Sequence, residues 1–426
     1  MRIQEQARAL VAPLADELVH TVAELIRAPT VSGREGELLA YLEAWFDEHG
    51  FDVRVQRLSS SEHEDLTDEP NTDERANVIV RLGDAPGRPE VVINGHIDVV
   101  PPGDLAAWTE APPFSGLIKD RRVYGRGAVD TKGGVGAAML ALLALKRSAL
   151  ELRVNVVLQL VVGEELTGVG TRVANESGTP DMAIVLEPTE CAVAATSTGL
   201  QFFNVRVRGI SAHTSSPWKG RDAFNHLLAI HRAMSDLASD KNNGFRSPLY
   251  ATVPSAAPFA VGTVQAGQWR AAIPDAAEMA GRIGILPGEA VSELRESIET
   301  LIRGIDELER WPFPTEIVWE SSWSSWETPR SHELVRTMLR SASLAGGPDR
   351  IIGLTAGSDA AFFGEREVPT VVFGPGEMAL AHSPNERVEE AELLRACTIL
   401  VHTLLELGGE NDAVASTWPD HAANVI

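Results

Sequence analysis

Seven residues of this 426-residue chain combine metal-ligating chemistry with a shared kind of position. His96 and Asp98 stand two apart in NGHIDVV, Asp130 lies between glycine-rich turns in GRGAVDTKGG, and Glu164 and Glu165 follow an apolar run in LVVGEELTGVG. Glu187 closes VLEPT, and His382 sits in the Gly/Pro-rich GPGEMALAHSPNE. Imidazole and carboxylate donors without a thiolate suit Zn²⁺, or alternatively Mn²⁺ or Co²⁺. Some of these residues also have an ordinary reading. His96 fits a hydrogen-bonded structural histidine, Asp130 a helix N-cap, and Glu187 a solvated loop acid. Glu164 and Glu165 resist such a reading, because adjacent carboxylates at the end of a buried strand repel unless a cation lies between them.

The segments that must position these residues are short Val/Ile-rich runs alternating with helical stretches. ANVIVRL, EVVINGHIDVV, LRVNVVLQLVV and DMAIVLEP read as strands, and 14–27, 34–49 and 131–147 as helices. That alternation predicts an α/β fold, a mixed sheet covered by helices on both faces. In such sheets the carboxyl ends of the strands form the binding crevice, and the acids and histidines cluster there. In an extended segment His96 and Asp98 would point to the same side. From about residue 198 the texture changes to four alternating strands and two helices, at 221–238 and 289–307, which predicts an inserted α+β layer. The first texture resumes with a helix at 331–345, the run VPTVVFG and a helix at 389–407. The expected division is a first catalytic part over 1–197, an inserted domain over 198–320 and a second catalytic part over 321–426.

Composition narrows the function classes. With 37 basic against 60 acidic side chains the formal net charge is −23. A nucleic-acid partner needs a basic footprint, and an anionic membrane surface repels this balance. Part of the excess is the run 59–75, with seven carboxylates, which reads as an exposed loop. Cys191 and Cys397 are the two cysteines, too few for a disulfide framework or a thiolate cluster. MRIQEQARAL lacks the apolar core of a signal peptide, and the longest apolar stretch, between Lys132 and Lys146, falls short of the roughly 20 residues a membrane span needs. A cytoplasmic location is the expectation.

GHIDVVPPG, GRGAVDTKGG, GEELTG, LEPT, GISAHTSSPWKG and AHSPNE, in this order, resemble the pattern of a family of dinuclear zinc amidohydrolases and peptidases. It includes acetylornithine deacetylase, succinyl-diaminopimelate desuccinylase, aminoacylase and carboxypeptidase G, and the resemblance runs from about 76 to 407. It implies that His96 and Glu187 hold one metal, Glu165 and His382 the other, and Asp130 bridges them. It further implies that Asp98 orients His96, that Glu164 is the general base on the bridging water, and that His213 stabilises the developing oxyanion, often across a dimer interface. The inserted domain would be a lid that also carries the dimer contact.

The pattern departs from the family where specificity is set. Ala271 precedes IPD at 273–275, where an Asn is common. Arg282-Ile283-Gly284 stands ahead of LPG, where Asp-x-Arg is usual. AGSDA at 356–360 resembles the family's substrate loop, but Ala361 follows where desuccinylases often carry Arg. Gly357, Ser358, Asp359 and Arg282 are the candidate substrate contacts, and the substrate's acid group is absent, held elsewhere, or read by Arg282. Trp311, Trp319, Trp323 and Trp326 are expected to pack the hinge between domains. The sequence thus predicts a metal-dependent hydrolase that cleaves the C–N amide bond of a small N-acylated amino acid, and the resemblance implies two divalent ions and a homodimeric assembly. Hydrolysis of a dipeptide, a carbamoyl group or an aryl amine on the same scaffold is the alternative, and a binding or regulatory protein without metal a more distant one.

Overall fold

The computed structural model describes residues 3–59, 75–251 and 253–409, so almost all of the acidic run of 59–75 lies outside the described residues. A nine-stranded mixed sheet is the base of the molecule. Its centre is parallel, in the spatial order Asn155–Val161, Glu90–His96, Met182–Val185 and Thr370–Val372. Ala76–Leu82 and Val53–Arg57 add antiparallel strands on one side, and Val193–Ser197 with Ile351–Leu354 and Trp326–Glu327 completes the other.

Strand side chains alternate between two cores, as the period of two requires. Val91, Ile93, Val156, Leu158, Leu160 and Ile184 pack on the helix side with Ala15–Arg27, Lys132–Arg147 and Glu390–Glu406. Val92, Val157, Ala183, Val185 and Val372 pack on the other side against Ala360–Phe363, Trp323 and Trp326. Both faces are therefore covered, which explains why these strands read as near-continuous apolar runs. The apolar stretch after Lys132 is a helix buried from Lys132 to Leu145, and no helix among the described residues is long and apolar enough to cross a membrane.

Between Ser197 and Trp326 the chain builds a four-stranded antiparallel sheet, in the order Phe259–Ala266, Ala276–Ile285, Gly199–Arg208 and Glu316–Trp323. Helices Ala223–Gly244 and Val291–Leu308 cover one of its faces and share a core with Phe203, Val205, Met279 and Ile283. Trp311 and Trp319 belong to this layer: Trp311 stacks on His226 at 4.0 Å, and the Trp319 indole donates to Glu299. Trp323 and Trp326 instead pack in the core of the large sheet, where the chain returns to it.

A buried ion pair ties the start of the fold together. Glu35 and Arg75 are both fully buried, with Arg75 Nε 2.8 Å from Glu35 Oε2 and a second bond from Nη2 to Oε1. Burial raises the Glu35 carboxyl above its ordinary range even with Arg75 beside it. Glu35→Gln leaves the guanidinium buried and uncompensated, so stability should fall by about 3–5 kcal/mol. Urea unfolding of that variant beside a Glu35→Leu/Arg75→Met double substitution checks this, and the double variant should lose less.

Candidate metal centre and active site

The four parallel strands end on one edge, and each delivers a site residue there. His96 is the last residue of its strand. Val161 leads through a turn at Gly163, with φ +74°, to Glu164 and Glu165. Val185 is followed by Leu186 and Glu187, and Val372 leads into the loop that carries His382. Asp130 arrives from the turn just before the helix Lys132–Arg147. His96, Asp130, Glu165, Glu187 and His382, from distant parts of the chain, thus meet beside Glu164 at the carboxyl edge, where an open α/β sheet forms its crevice; these five are grouped by distance.

They form two groups that share one member. His96, Asp130 and Glu187 bring ligand atoms within 4.8 Å of one another, and Asp130, Glu165 and His382 do the same. Asp130 turns a different oxygen to each group: Oδ1 lies 3.0 Å from His96 Nε2, and Oδ2 lies 3.1 Å from His382 Nε2. Glu187 Oε1 is 3.8 Å from His96 Nε2, and Glu165 Oε2 is 3.0 Å from His382 Nε2. Glu164 belongs to neither group, although it is buried beside them.

The charges are out of balance without a cation. Burial, with Glu187 close by, holds the Glu164 carboxyl well above its ordinary range; burial and Asp130 do the same to Glu187. Glu165 is raised by burial too, and its Oε1 is buried with no hydrogen-bond partner among the described residues. Burial opposes charge on His96, but the Asp130 hydrogen bond and the surrounding carboxylates outweigh it and raise the imidazole well above its usual value. Hydrogen bonds donated to Asp130 and Glu165 push His382 up to about 10. For Asp130, burial is outweighed by the two histidines, and its carboxyl is lowered. Buried carboxylates that outnumber their imidazole partners, with one oxygen left orphaned, fit a divalent cation in each group. The donor set is nitrogen and oxygen only, as expected for Zn²⁺, Mn²⁺ or Co²⁺.

Asp98 acts through both its main chain and its side chain. It stands two residues beyond the end of the strand that closes with His96. His96 Nδ1 donates to the Asp98 main-chain carbonyl at 2.9 Å, which leaves Nε2 for the ligand side; the Asp98 carboxylate is 3.7 Å away. That carboxylate instead accepts from the main-chain N–H of Glu164 at 3.1 Å and of Glu165 at 3.3 Å, and from Ser32 Oγ at 2.7 Å. Its side chain holds the Glu164–Glu165 turn, while its main chain orients the histidine.

The remaining candidates are arranged differently. His213 lies outside both groups, on an exposed turn where its Nδ1 accepts from the Ser215 N–H at 3.1 Å. Thr214 N donates to the Ala271 carbonyl, so Ala271 supports that turn through its main chain. Asp359 is buried, with Oδ2 bonded by Thr171 Oγ1 at 2.5 Å and its carboxyl pushed up by burial to about 7; it faces the interior rather than the solvent. Ser358 Oγ is buried without a partner among the described residues, and Gly357 packs closely on Trp323 and Leu200. A side chain at Gly284 would run into the Ala257 main chain, so this backbone excludes the arginine usual there. Arg282 lies two residues earlier on the same strand face. Its Nη2 donates to the Thr355 carbonyl at 3.0 Å, its Nε is buried without a partner among the described residues, and burial alone lowers its pKa.

Fold and site together fit a metal-dependent enzyme, and comparison with known proteins gives its family and, with it, hydrolysis of amide bonds. The pattern of Peptidase family M20/M25/M40 matches residues 92–406, and the chain belongs to that family. It is 30% identical to acetylornithine deacetylase of Myxococcus xanthus over 401 residues, covering 91% of this chain and 97% of that protein. It is 24% identical to a probable succinyl-diaminopimelate desuccinylase of Staphylococcus aureus, covering 89% and 94%. Among solved structures, the di-peptidase Dug1p of Saccharomyces cerevisiae superposes with a TM-score of 0.75 at 15% identity, covering 95% of this chain and 98% of that one. A dinuclear metal-binding M20 peptidase of Bacillus subtilis superposes with a TM-score of 0.65 at 17% identity, covering 92% and 98%.

Proposed function

We propose that this enzyme is a deacylase of small N-acylated amino acids that works with two divalent ions, zinc first among the candidates. The observation that carries this reading is the division of labour around Asp130: one oxygen serves each ligand group, and Glu164 stays free of both. His96 and Glu187 would hold one ion and Glu165 and His382 the other, with Asp130 common to the two. When bound, such ions lower the pKa of a water and polarise the scissile carbonyl.

The rest of the chemistry belongs to the chain. The Glu164 carboxylate takes a proton from the attacking water and delivers it to the leaving nitrogen. Its buried position raises its affinity for that proton above that of an exposed acid, which favours taking the proton from water. Asp98 keeps the base in place by holding the N–H groups of Glu164 and Glu165. We assign 198–320 to an inserted lid that carries a homodimer contact, and His213, exposed on that layer, to an oxyanion contact reached on closure or from the other subunit. We place the enzyme in the cytoplasm, where its two free, buried cysteines would stay reduced.

Arg282 supports an anionic substrate. A half-buried guanidinium without a carboxylate partner among the described residues bears a desolvation cost that a bound carboxylate relieves by charge-assisted hydrogen bonds. The purified enzyme should therefore prefer N-acyl amino acids with a free carboxylate over their carboxamides. Arg282→Met should erase that preference chiefly through KM. A panel of acyl-amino acids, dipeptides, carbamoyl amino acids and aryl amides tests the assignment. Equal turnover of acid and amide forms would sink the Arg282 role, and faster turnover of dipeptides or aryl amides would shift the substrate class.

A further inference from the structure

Asp130 is the one residue both ligand groups need, and it needs both of its oxygens correctly placed at once. A side chain this short has little freedom of its own, so its aim is set by the main chain at 129–131. Thr131 Oγ1 donates to the Leu186 carbonyl at 3.0 Å and fastens one end of that segment. The other fastening comes from far away in sequence. Glu386 Oε1 accepts from the Val129 N–H at 2.9 Å and from the Asp130 N–H at 3.3 Å. Its Oε2 accepts from Arg126 Nη1 at 2.7 Å, and its main-chain carbonyl accepts from Gly125 N at 2.9 Å.

Glu386 is fully buried and Arg126 nearly so. A buried carboxylate is costly unless its oxygens are satisfied and its charge is matched. Here two amide N–H groups and a guanidinium do both, so Glu386 has no role left as a ligand, and it belongs to neither ligand group. Its own loop is also anchored. Asn385 Oδ1 accepts from the Glu110 N–H at 2.9 Å, and the Arg126 guanidinium also reaches the Ser383 carbonyl at 3.3 Å. His382 lies four residues before Glu386 in that loop. The loop therefore presents a ligand to one group and, through Glu386, grips the main chain of the residue shared by both.

We infer that Glu386 is a positioning residue for Asp130, setting the affinity of both metal positions together through the main chain of 129–130. This rests on the two-metal reading above and adds a coupling which that reading does not require. The alternative is a plain tether of the 382–386 loop, and the two differ in a measurable way. A tether touches only the position that uses His382, whereas a grip on Asp130 touches both.

The test is calorimetric titration of Zn²⁺ into chelator-stripped protein, with His96→Ala and His382→Ala as references that each remove one position. Glu386→Leu takes away every side-chain acceptor and should weaken both binding events by about 10–100-fold, the usual loss for a group that orients a ligand. Glu386→Gln keeps an acceptor oxygen but replaces charge-assisted bonds with neutral ones of roughly half the strength. It should weaken both events severalfold and in parallel, and it serves if the Leu variant does not fold. Thermal midpoints of the stripped proteins confirm that the compared chains are folded. Weakening confined to the event missing in His382→Ala overturns the inference in favour of the tether, and wild-type affinity at both positions in a folded variant overturns it outright. A wild-type chain that binds no Zn²⁺ would overturn the metal reading itself, and the inference with it, and is distinguished by being seen before any substitution is made.

Discussion

Glu164→Gln is expected to lower kcat by about 10²–10⁴-fold, the span that general acid–base catalysis contributes, while metal content stays at the wild-type level. The physical basis is the separation of two adjacent acids. Glu165 Oε2 sits 3.0 Å from His382 Nε2 in a ligand group, whereas Glu164 belongs to no group and is held through its main-chain N–H by Asp98. Gln is close to Glu in shape and leaves that N–H bond in place, so the loss should fall on proton transfer alone. Metal analysis of the purified variant beside its steady-state rate gives the readout. Full activity would remove Glu164 from the mechanism, and loss of metal would place it among the ligands. Glu165→Gln provides the contrast, since it should cost metal at the position that His382 serves.

Chelation should abolish turnover entirely, with recovery on return of Zn²⁺, Mn²⁺ or Co²⁺. It should also lower the thermal midpoint. Glu164, Glu165 and Glu187 are buried close together, and each is raised by that burial, so the stripped site either repels itself or takes up protons. An ion present at 1,000 times its dissociation constant stabilises the folded chain by about 4 kcal/mol, and stripping it removes that amount. Scanning calorimetry and activity, measured on the same stripped and reconstituted samples, check both halves. Activity that persists in protein shown to be metal-free would end the hydrolase mechanism proposed for this site.

These outcomes depend on features of unequal visibility in the sequence. Strands rich in Val and Ile announce themselves because both of their faces are buried, and the residues just past their ends were legible for the same reason. An apolar run that stops at a His or an acid marks a carboxyl edge. His96, Glu165 and Glu187 were found in this way, and the structure brings them together with Asp130 and His382. The helices and the four-stranded layer follow from periodicity, with Phe203, Val205, Met279 and Ile283 alternating into one core.

Other features depend on contacts between residues far apart in the chain, which no local pattern encodes. Asp98 stands two residues after His96, and its carboxylate also holds the N–H groups of Glu164 and Glu165, 66 and 67 positions further on. Asp359 sits in a loop that resembles a substrate contact, and its Oδ2 accepts from Thr171, 188 positions away in the chain. Gly284 excludes an arginine only because Ala257 crosses behind it. Glu386 offered one clue, its place four residues after His382 in the AHSPNE motif, and only the fold shows it 256 positions away on the Asp130 main chain.

Alone, the sequence determined the chemistry: which residue types are present, that they stand at strand ends, and that nitrogen and oxygen donors without thiolates call for a divalent metal. Tertiary structure decided the allocation, namely that Asp130 faces both ligand groups, that Glu165 joins one of them while Glu164 joins neither, and that Arg282 is a half-buried cation whose described hydrogen bond is to a carbonyl. The reason is range. Burial and periodicity are written locally along the chain, whereas the direction in which a carboxylate points is settled by main-chain donors and charges that only folding brings within 3 or 4 Å of it.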